Sequence, residues 1–277
     1  MIKIIDVDTL FEKYIKDYVY SNIGKINPDE IEDNIPLLYK KFGDEKIEEL
    51  DGETPNSYYK KFSINELIDA LISHEEKGVS VSDMLCEAIL SKKDGDKAIS
   101  KALLKDYPEQ TTLYLMNFLN DLNAEIPTER FLEFLLLDYS MAIKELATEM
   151  LSKRADRVKE RLLQEFSTLS GETKEFVLEI LSNVKLKDDK VFDVLINEFV
   201  KNQDKIPYYC ALISRYGDER AVPFLKTVIK DEKINYADFE ELRFALEVLG
   251  ETYDDERDFS KDKYYNKIKK NRTSKKD

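Results

Sequence analysis

A short phrase that closes a helix recurs along this chain at nearly even intervals, and it limits the fold more than any other feature. Glu149-Met-Leu-Ser152, Glu179-Ile-Leu-Ser182, Ala211-Leu-Ile-Ser214 and Glu247-Val-Leu-Gly250 follow one another at steps of 30, 32 and 36, counted from the last residue of each. Leu119-Asn120 falls one step earlier, with Asn120 as far before Ser152 as Ser182 is before Ser214. A unit of this length holds two helices, and two helices alone cannot cover their apolar faces. Each unit must stack on the next, which predicts a solenoid.

The periodicity between these phrases is helical. Ile143, Leu146, Ala147, Met150 and Leu151 share one stripe, as do Phe176, Val177, Ile180, Leu181 and Val184. Ile206, Tyr209, Cys210, Ile213 and Tyr216 form a third. Spacings of three and four residues place each set on one helix face. All eight glycines, among them Gly24, Gly78, Gly95, Gly217 and Gly250, fall between such stripes, where helices end or restart. Ser63-Ile-Asn-Glu66 is a capping box, and Ser80 with Asp83, Thr54-Pro55 and Asp188 mark further helix starts. Fifteen helices are expected between positions 8 and 250, joined by short links that make neighbours antiparallel.

A second phrase sits at the turns. In Arg215-Tyr-Gly-Asp-Glu-Arg-Ala-Val-Pro-Phe-Leu225 a glycine ends one helix, an aspartate caps the next, and Pro223 falls where a missing N–H costs least. Lys41-Phe-Gly-Asp-Glu-Lys-Ile47 echoes it, and Gly95-Asp96 followed by Ala98, Ile99, Ala102 and Leu103 reads as a diluted copy. Tyr216 to Leu225 resembles the HEAT repeat in its short bacterial form, the PBS-lyase HEAT-like repeat, in which Leu-Gly is followed by Asp-x-x-Ala-Val-Pro-x-Leu. The likeness is close over that one unit, fair over 126–252 and faint over 60–125. It implies an all-α fold, an α-α superhelix built as a HEAT-like solenoid over 61–252. Residues 1–60 depart from the pattern and read as a separate N-terminal helical cap, and the basic tail over 253–277 is expected either to extend the last helix or to stay flexible. It does not imply lyase activity, because no lyase residues are identifiable.

Charge separates the chain into two parts. Positions 257–277 hold nine Lys or Arg against three Asp, a net +6. The whole chain carries −14, so the part before Arg257 carries −20. So acidic a body repels phosphate backbones, which disfavours nucleic acid as a partner unless the tail recruits it. The opening residues are not expected to be a secretory leader, no apolar run is long enough to span a membrane as a helix, and Cys86 and Cys210 read as two buried thiols in a reducing compartment. A cytoplasmic location is expected.

Chemical motifs are sparse. No two glycines lie close enough for a P-loop or a dinucleotide fingerprint. His74 is the only histidine, and its place near a helix C-terminus reads as a solvated side chain favoured by the helix dipole. Asp188-Asp189 and Asp254-Asp255-Glu256 could serve acid–base chemistry or bind a hard cation, but 57 acids produce such runs by chance. Tyr209 belongs to the core stripe, so Tyr208 should point away from it. HEAT resemblance would put Tyr208 on the helix lining the concave surface, where an exposed tyrosine is a good peptide anchor. No catalytic residue, cofactor or metal is expected.

These readings converge on a non-enzymatic scaffold that holds a protein or peptide, with a basic segment suited to the acidic body. Two other classes stay open: a HEAT-like enzyme of the DNA-lesion glycosylase or lyase type, and a structural subunit braced by the aromatic stretch over 1–60. A glycosylase would need a basic groove with stacking aromatics, and this chain has no tryptophan.

Overall fold

The computed structural model describes residues 2–22, 29–255 and 257–273. Gly24, Glu256 and the last four residues of the basic tail lie outside that range. The described residues are all-helical, with no strand and only one isolated bridge, Ile47 to Glu53. None of their helices is long and apolar enough to cross a membrane. The chain divides into two compact units, Met1–Arg130 and Phe131–Asp277.

The first unit contains α1 (Val7–Ser21), α2 (Asp29–Phe42), α3 (Pro55–Tyr58), α4 (Ile64–Lys77), α5 (Asp83–Leu90), α6 (Gly95–Ala102) and α7 (Glu109–Asp121). In α4 the capping box forms as its residues dictate. Ser63 Oγ accepts from Glu66 N, and the Glu66 carboxylate accepts from Ser63 N at 2.9 Å. Leu67, Ile68 and Leu71 then bury one face, each contributing about 1.5–3 kcal/mol. Gly78 stops the helix at φ 63°, a conformation that a side chain disfavours.

Residues 1–60 share this unit with the helices that follow. Lys3 N donates to the Tyr58 hydroxyl, Lys3 Nζ pairs with Asp51, and Ser80 Oγ donates to Asp8. Phe11 packs on Tyr39 and Phe42 at ring-centroid distances of 4.9 and 5.3 Å. The helix after Gly78 starts two residues later than its sequence signal, because Ser82 caps Leu85 N while Ser80 is engaged with Asp8. Nor do the two echoes of the turn phrase fold as Gly217 does. Gly43 leads into the Ile47–Glu53 bridge and a 3-10 turn, and its missing side chain makes room for Asn56, which would stand 2.6 Å from a Cβ. Gly95 is already inside α6, and Asp94 takes the left-handed conformation in its place.

After α8 (Thr128–Leu136), the second unit runs through α9 (Met141–Ser152), α10 (Ala155–Glu165), α11 (Gly171–Ser182), α12 (Asp189–Lys201), α13 (Ile206–Tyr216), α14 (Val222–Ile229), α15 (Tyr236–Val248) and α16 (Lys263–Thr273). The four phrase-bearing helices pack in series: α9 on α11, α11 on α13, and α13 on α15. The helices between them, α10, α12 and α14, lean on α11, α13 and α15. Ile143, Ala147 and Met150 of α9, Val177, Ile180 and Leu181 of α11, and Tyr209, Cys210 and Ile213 of α13 are buried, as their spacing requires.

Polar ties follow the same interval. The Asp156 carboxylate accepts from Lys185 N and Leu186 N, Lys159 pairs with Asp188 at 2.6 Å, and Arg220 pairs with Asp189 at 2.7 Å. Asp156, Asp188 and Asp218 thus stand at the starts of α10, α12 and α14, at steps of 32 and 30. Asp188 caps α12 through Lys190 N and Val191 N, and Asp218 accepts from Arg220 N.

The segment read as a basic tail contains α16. Asp262 caps it, accepting from Tyr264 N and Tyr265 N, and also accepts from Tyr236 N at the head of α15. The Arg257 guanidinium donates to the Ile229 and Asp231 carbonyls at the end of α14. The Ile229 carbonyl, in the last turn of α14, has no partner within its own helix, which is why a guanidinium fits there.

Candidate functional site

The serial packing of α9, α11 and α13 aligns the residues that their stripes leave outside, together with Phe176, which belongs to the α11 stripe but is only half-buried. A cleft of about 690 Å³ runs over these helices, lined among others by Glu145, Glu149, Ser152, Phe176, Glu179 and Arg215. Each position follows from helical spacing. Glu145 and Glu149 are one turn apart on α9, and Glu175 and Glu179 repeat that pair on α11, at the step that separates Ser152 from Ser182. On α13 the next step, from Ser182 to Ser214, brings Pro207 and Ala211 to the same places. The acidic ladder therefore ends at α13, and Arg215 stands beside it instead.

Arg215 reaches back over α11, 3.3 Å from Ser182 Oγ and 3.6 Å from the Glu179 carboxylate. Lys153 pairs with Glu149 at 2.9 Å. All four of these charged side chains are between 42% and 55% exposed, so solvent screens both pairs. Glu145 has no ion-pair partner among the described residues. The Ser152 and Ser214 hydroxyls are buried without a hydrogen-bond partner, whereas Ser182 Oγ donates to the Glu179 carbonyl at 2.7 Å.

Tyr208 does not form the exposed anchor its position suggested. It is half-buried, its ring meets Tyr209 edge-on at 5.1 Å, and its hydroxyl donates to the Glu175 carbonyl at 3.0 Å. Burial pushes its ionisation up, with the Glu175 carboxylate adding to the effect. Away from the stripe meant toward α11, because the neighbouring helix occupies that direction. Tyr209 is in the core, and burial pushes its hydroxyl up to about 12.

His74 is also not where its sequence context put it. It is fully buried, with Nδ1 2.9 Å from the Ser80 carbonyl oxygen. A carbonyl can only accept, so Nδ1 carries the proton and Nε2 faces the interior without a partner. The chain turn at Gly78 folds Ser80 back over the imidazole and shuts out water. Both cysteines are free; Cys210 is buried and Cys86 half-buried, and burial pushes their thiols up to about 12 and about 11. Neither is a thiolate at neutral pH.

The paired acids have structural partners. Asp188 caps α12 and binds Lys159, whose hydrogen bond is the main reason its carboxyl sits below the usual range. Asp189 binds Arg220. Tyr253 contacts Asp255, and Glu256 lies outside the described residues. Among the described residues no group of three or more His, Cys, Asp or Glu is arranged to hold a metal ion.

Sequence reasoning missed the two features that organise this surface: the double glutamate row on α9 and α11, and Arg215 bridging back from α13. The signal was present, since Glu145, Glu149, Glu175 and Glu179 follow the same step as the helix-closing phrase. No protein-family model matches the chain, and no curated protein or solved structure shows significant similarity to it.

Proposed function

We propose that this protein is a non-enzymatic binding scaffold, that Phe131–Asp277 is an α-solenoid of HEAT-like helix pairs, and that a peptide segment of a partner protein occupies the cleft over α9, α11 and α13. The observation that carries this reading is the repeated register of the cleft acids Glu149 on α9 and Glu179 on α11, held above a row of buried apolar residues in the same register. Repetition of both layers is what a stack of like units produces. Ties at a near-constant sequence interval, from Asp156 to Lys185 and from Asp189 to Arg220, support the solenoid.

The acidic rows, and the −20 carried by the chain before Arg257, suit a partner segment with basic side chains. Glu149 and Glu179 are themselves half-exposed, as are Lys153 and Arg215 beside them, so a basic partner segment can approach these acids from solvent. Selection from a random peptide library displayed on phage tests the reading. Enriched peptides should share basic residues and should lose binding to a Glu149→Lys, Glu179→Lys variant. Failure to enrich anything beyond the starting library, or enrichment indifferent to that variant, would overturn it.

A further inference from the structure

The last step of the series, from α13 to α15, differs from the one before it. Between α11 and α13 the tie is polar. Lys205 and Arg215 reach back to Glu175 and Glu179, and the hydroxyl of Tyr208, which lies between those bases along α13, donates to the Glu175 carbonyl. Counted back from Gly250 as those residues are from Ser214, the same places on α15 hold Glu241, Glu251 and Phe244. On α13 the places of Glu175 and Glu179 hold Pro207 and Ala211. Every group of the earlier tie is thus replaced: both bases by acids, the tyrosine by a ring without a hydroxyl, and both acids by apolar residues. No ion pair can form across this step at those places.

Exposure follows the replacement. Phe244 is 59% exposed, whereas Phe176 and Tyr208, in the same place on α11 and α13, are half-buried. Val248, one turn on, is 48% exposed, whereas its counterparts Met150, Ile180 and Leu212 are buried. Pro207 and Ala211 are exposed as well. Spacings of three and four put Glu241, Phe244 and Val248 on one stripe of α15. Burial and, next, the Glu241 carboxylate push the Cys210 thiol of α13 up, so this stripe borders α13. Glu241 has no ion-pair partner among the described residues, and Glu251 pairs with Lys226 at 3.1 Å.

Resting on the peptide-binding reading above, we infer that the partner segment continues past α13 and sets one large apolar side chain, aliphatic or aromatic, in a notch between Pro207 and Ala211 of α13 and Phe244 and Val248 of α15, with Lys or Arg on either side of it. The apolar side chain removes Phe244 and Val248 from water, and the flanking bases meet Glu241 and Glu251 at the two ends of the notch. A second copy of α15 fits poorly in the same place. It would bring Asp238, Glu240, Glu241 and Glu247, against the single Arg243, onto an equally acidic helix.

The test uses the full chain and dye-labelled peptides Gly-Lys-Lys-X-Lys-Lys-Gly, with Leu, Phe or Ser at X. Fluorescence anisotropy should show the Leu and Phe peptides binding about tenfold more tightly than the Ser peptide, and the same peptides with Glu for Lys binding more weakly than any of them. A Phe244→Ser, Val248→Ser variant should erase the advantage of Leu over Ser, and Phe244→Leu should keep it. Both residues are exposed, so neither variant should shift the urea midpoint. Equal affinity for Leu and Ser, or an advantage that survives the double variant, would overturn the anchor. So would self-association seen by light scattering and abolished by that variant, because a second copy would then fill the notch. The two readings fail separately: display-selected peptides that need Glu149 and Glu179 but ignore Phe244 and Val248 would sink the anchor alone, whereas a selection that yields no peptide would sink the scaffold reading with it.

Discussion

The two units close their polar contacts over very different stretches of chain. In Phe131–Asp277 the ties between helices cluster between 24 and 33 residues: Lys174 to Glu198, Tyr236 to Asp262, Ile229 to Arg257, Lys144 to Thr173, Asp156 to Lys185, Glu175 to Lys205, Asp189 to Arg220 and Ser182 to Arg215. In Met1–Arg130 they range from 12 to 72 residues with no common step: Asp44 to Asn56, Ser100 to Glu125, Lys60 to Lys92, Tyr39 to Met84, Lys3 to Asp51, Lys3 to Tyr58 and Asp8 to Ser80. Unit-to-unit ties make a structure whose parts depend on their neighbours. Ties that bring the N-terminus across to the turn after α4 make one whose parts depend on all the others. Loop closure costs more for the long ties, so the first unit gains its order only when most of its chain is in place.

The largest test of that difference removes core volume from each unit in turn. Leu71 and Phe199 are both fully buried, and Leu71→Ala or Phe199→Ala should each cost about 2–5 kcal/mol. Hydrogen exchange should separate them. Leu71→Ala is expected to strip protection throughout Met1–Arg130, and Phe199→Ala to strip α12 first, then its neighbours, in order of distance along the chain. Uniform loss in both variants would abolish the contrast.

Asp188→Ala tests a single repeated tie. It removes the α12 cap and the Lys159 partner together, for an expected cost of about 2 kcal/mol in urea unfolding. The same tie sets a pH dependence. The Asp188 and Asp218 carboxyls lie below the ordinary range, held there chiefly by hydrogen bonds from Lys159 and Arg220. A lowered folded value means that the stabilisation is complete above about pH 4, where unfolded aspartate is ionised, and is lost as pH falls through the folded values. Urea midpoints should therefore fall more steeply below about pH 4 in the parent chain than in an Asp188→Asn, Asp218→Asn variant. Parallel curves would show that these ties contribute nothing to the unit.

Smaller effects sharpen the picture. Tyr208→Phe deletes one hydrogen bond to α11 and should lower stability by about 1 kcal/mol, whereas a free, solvent-facing hydroxyl would give no change. The thiols lie one in each unit. With Cys86 pushed up to about 11, about one molecule in a thousand is a thiolate at pH 8, and Cys210 is lower still. Both should react with a disulfide reagent at least tenfold more slowly than in urea, Cys86 being the faster of the two because it is only half-buried.

Helix positions were legible almost throughout. The stripe over 206–216 became α13 over the same residues, the Ser63–Glu66 box formed, and Asp188 and Asp218 capped as expected. These are local matters: a side-chain oxygen three residues from an orphan N–H, or apolar residues at a 3.6 period, act within one or two turns. The Asp156, Asp188, Asp218 series and the double glutamate row were equally present as intervals, but an interval between exposed residues has meaning only when the helices carrying it are known to be neighbours. Ser80 shows the limit from the other side. Its spacing to Asp83 is a sound cap signal, and Asp8, 72 residues away, outcompeted it.

What the amino-acid order decided unaided is the helical class, the caps and stops, and the two-helix interval, because each follows from contacts within a few turns of one chain segment. Tertiary structure alone decided that Tyr208 is half-buried, that His74 is fully enclosed, that residues 1–60 join the helices as far as Arg130, and that part of the basic tail is a helix packed on Tyr236. The physical reason is common to all four. Helical periodicity says which face a side chain occupies, but whether that face meets water or a neighbouring helix depends on residues far along the chain.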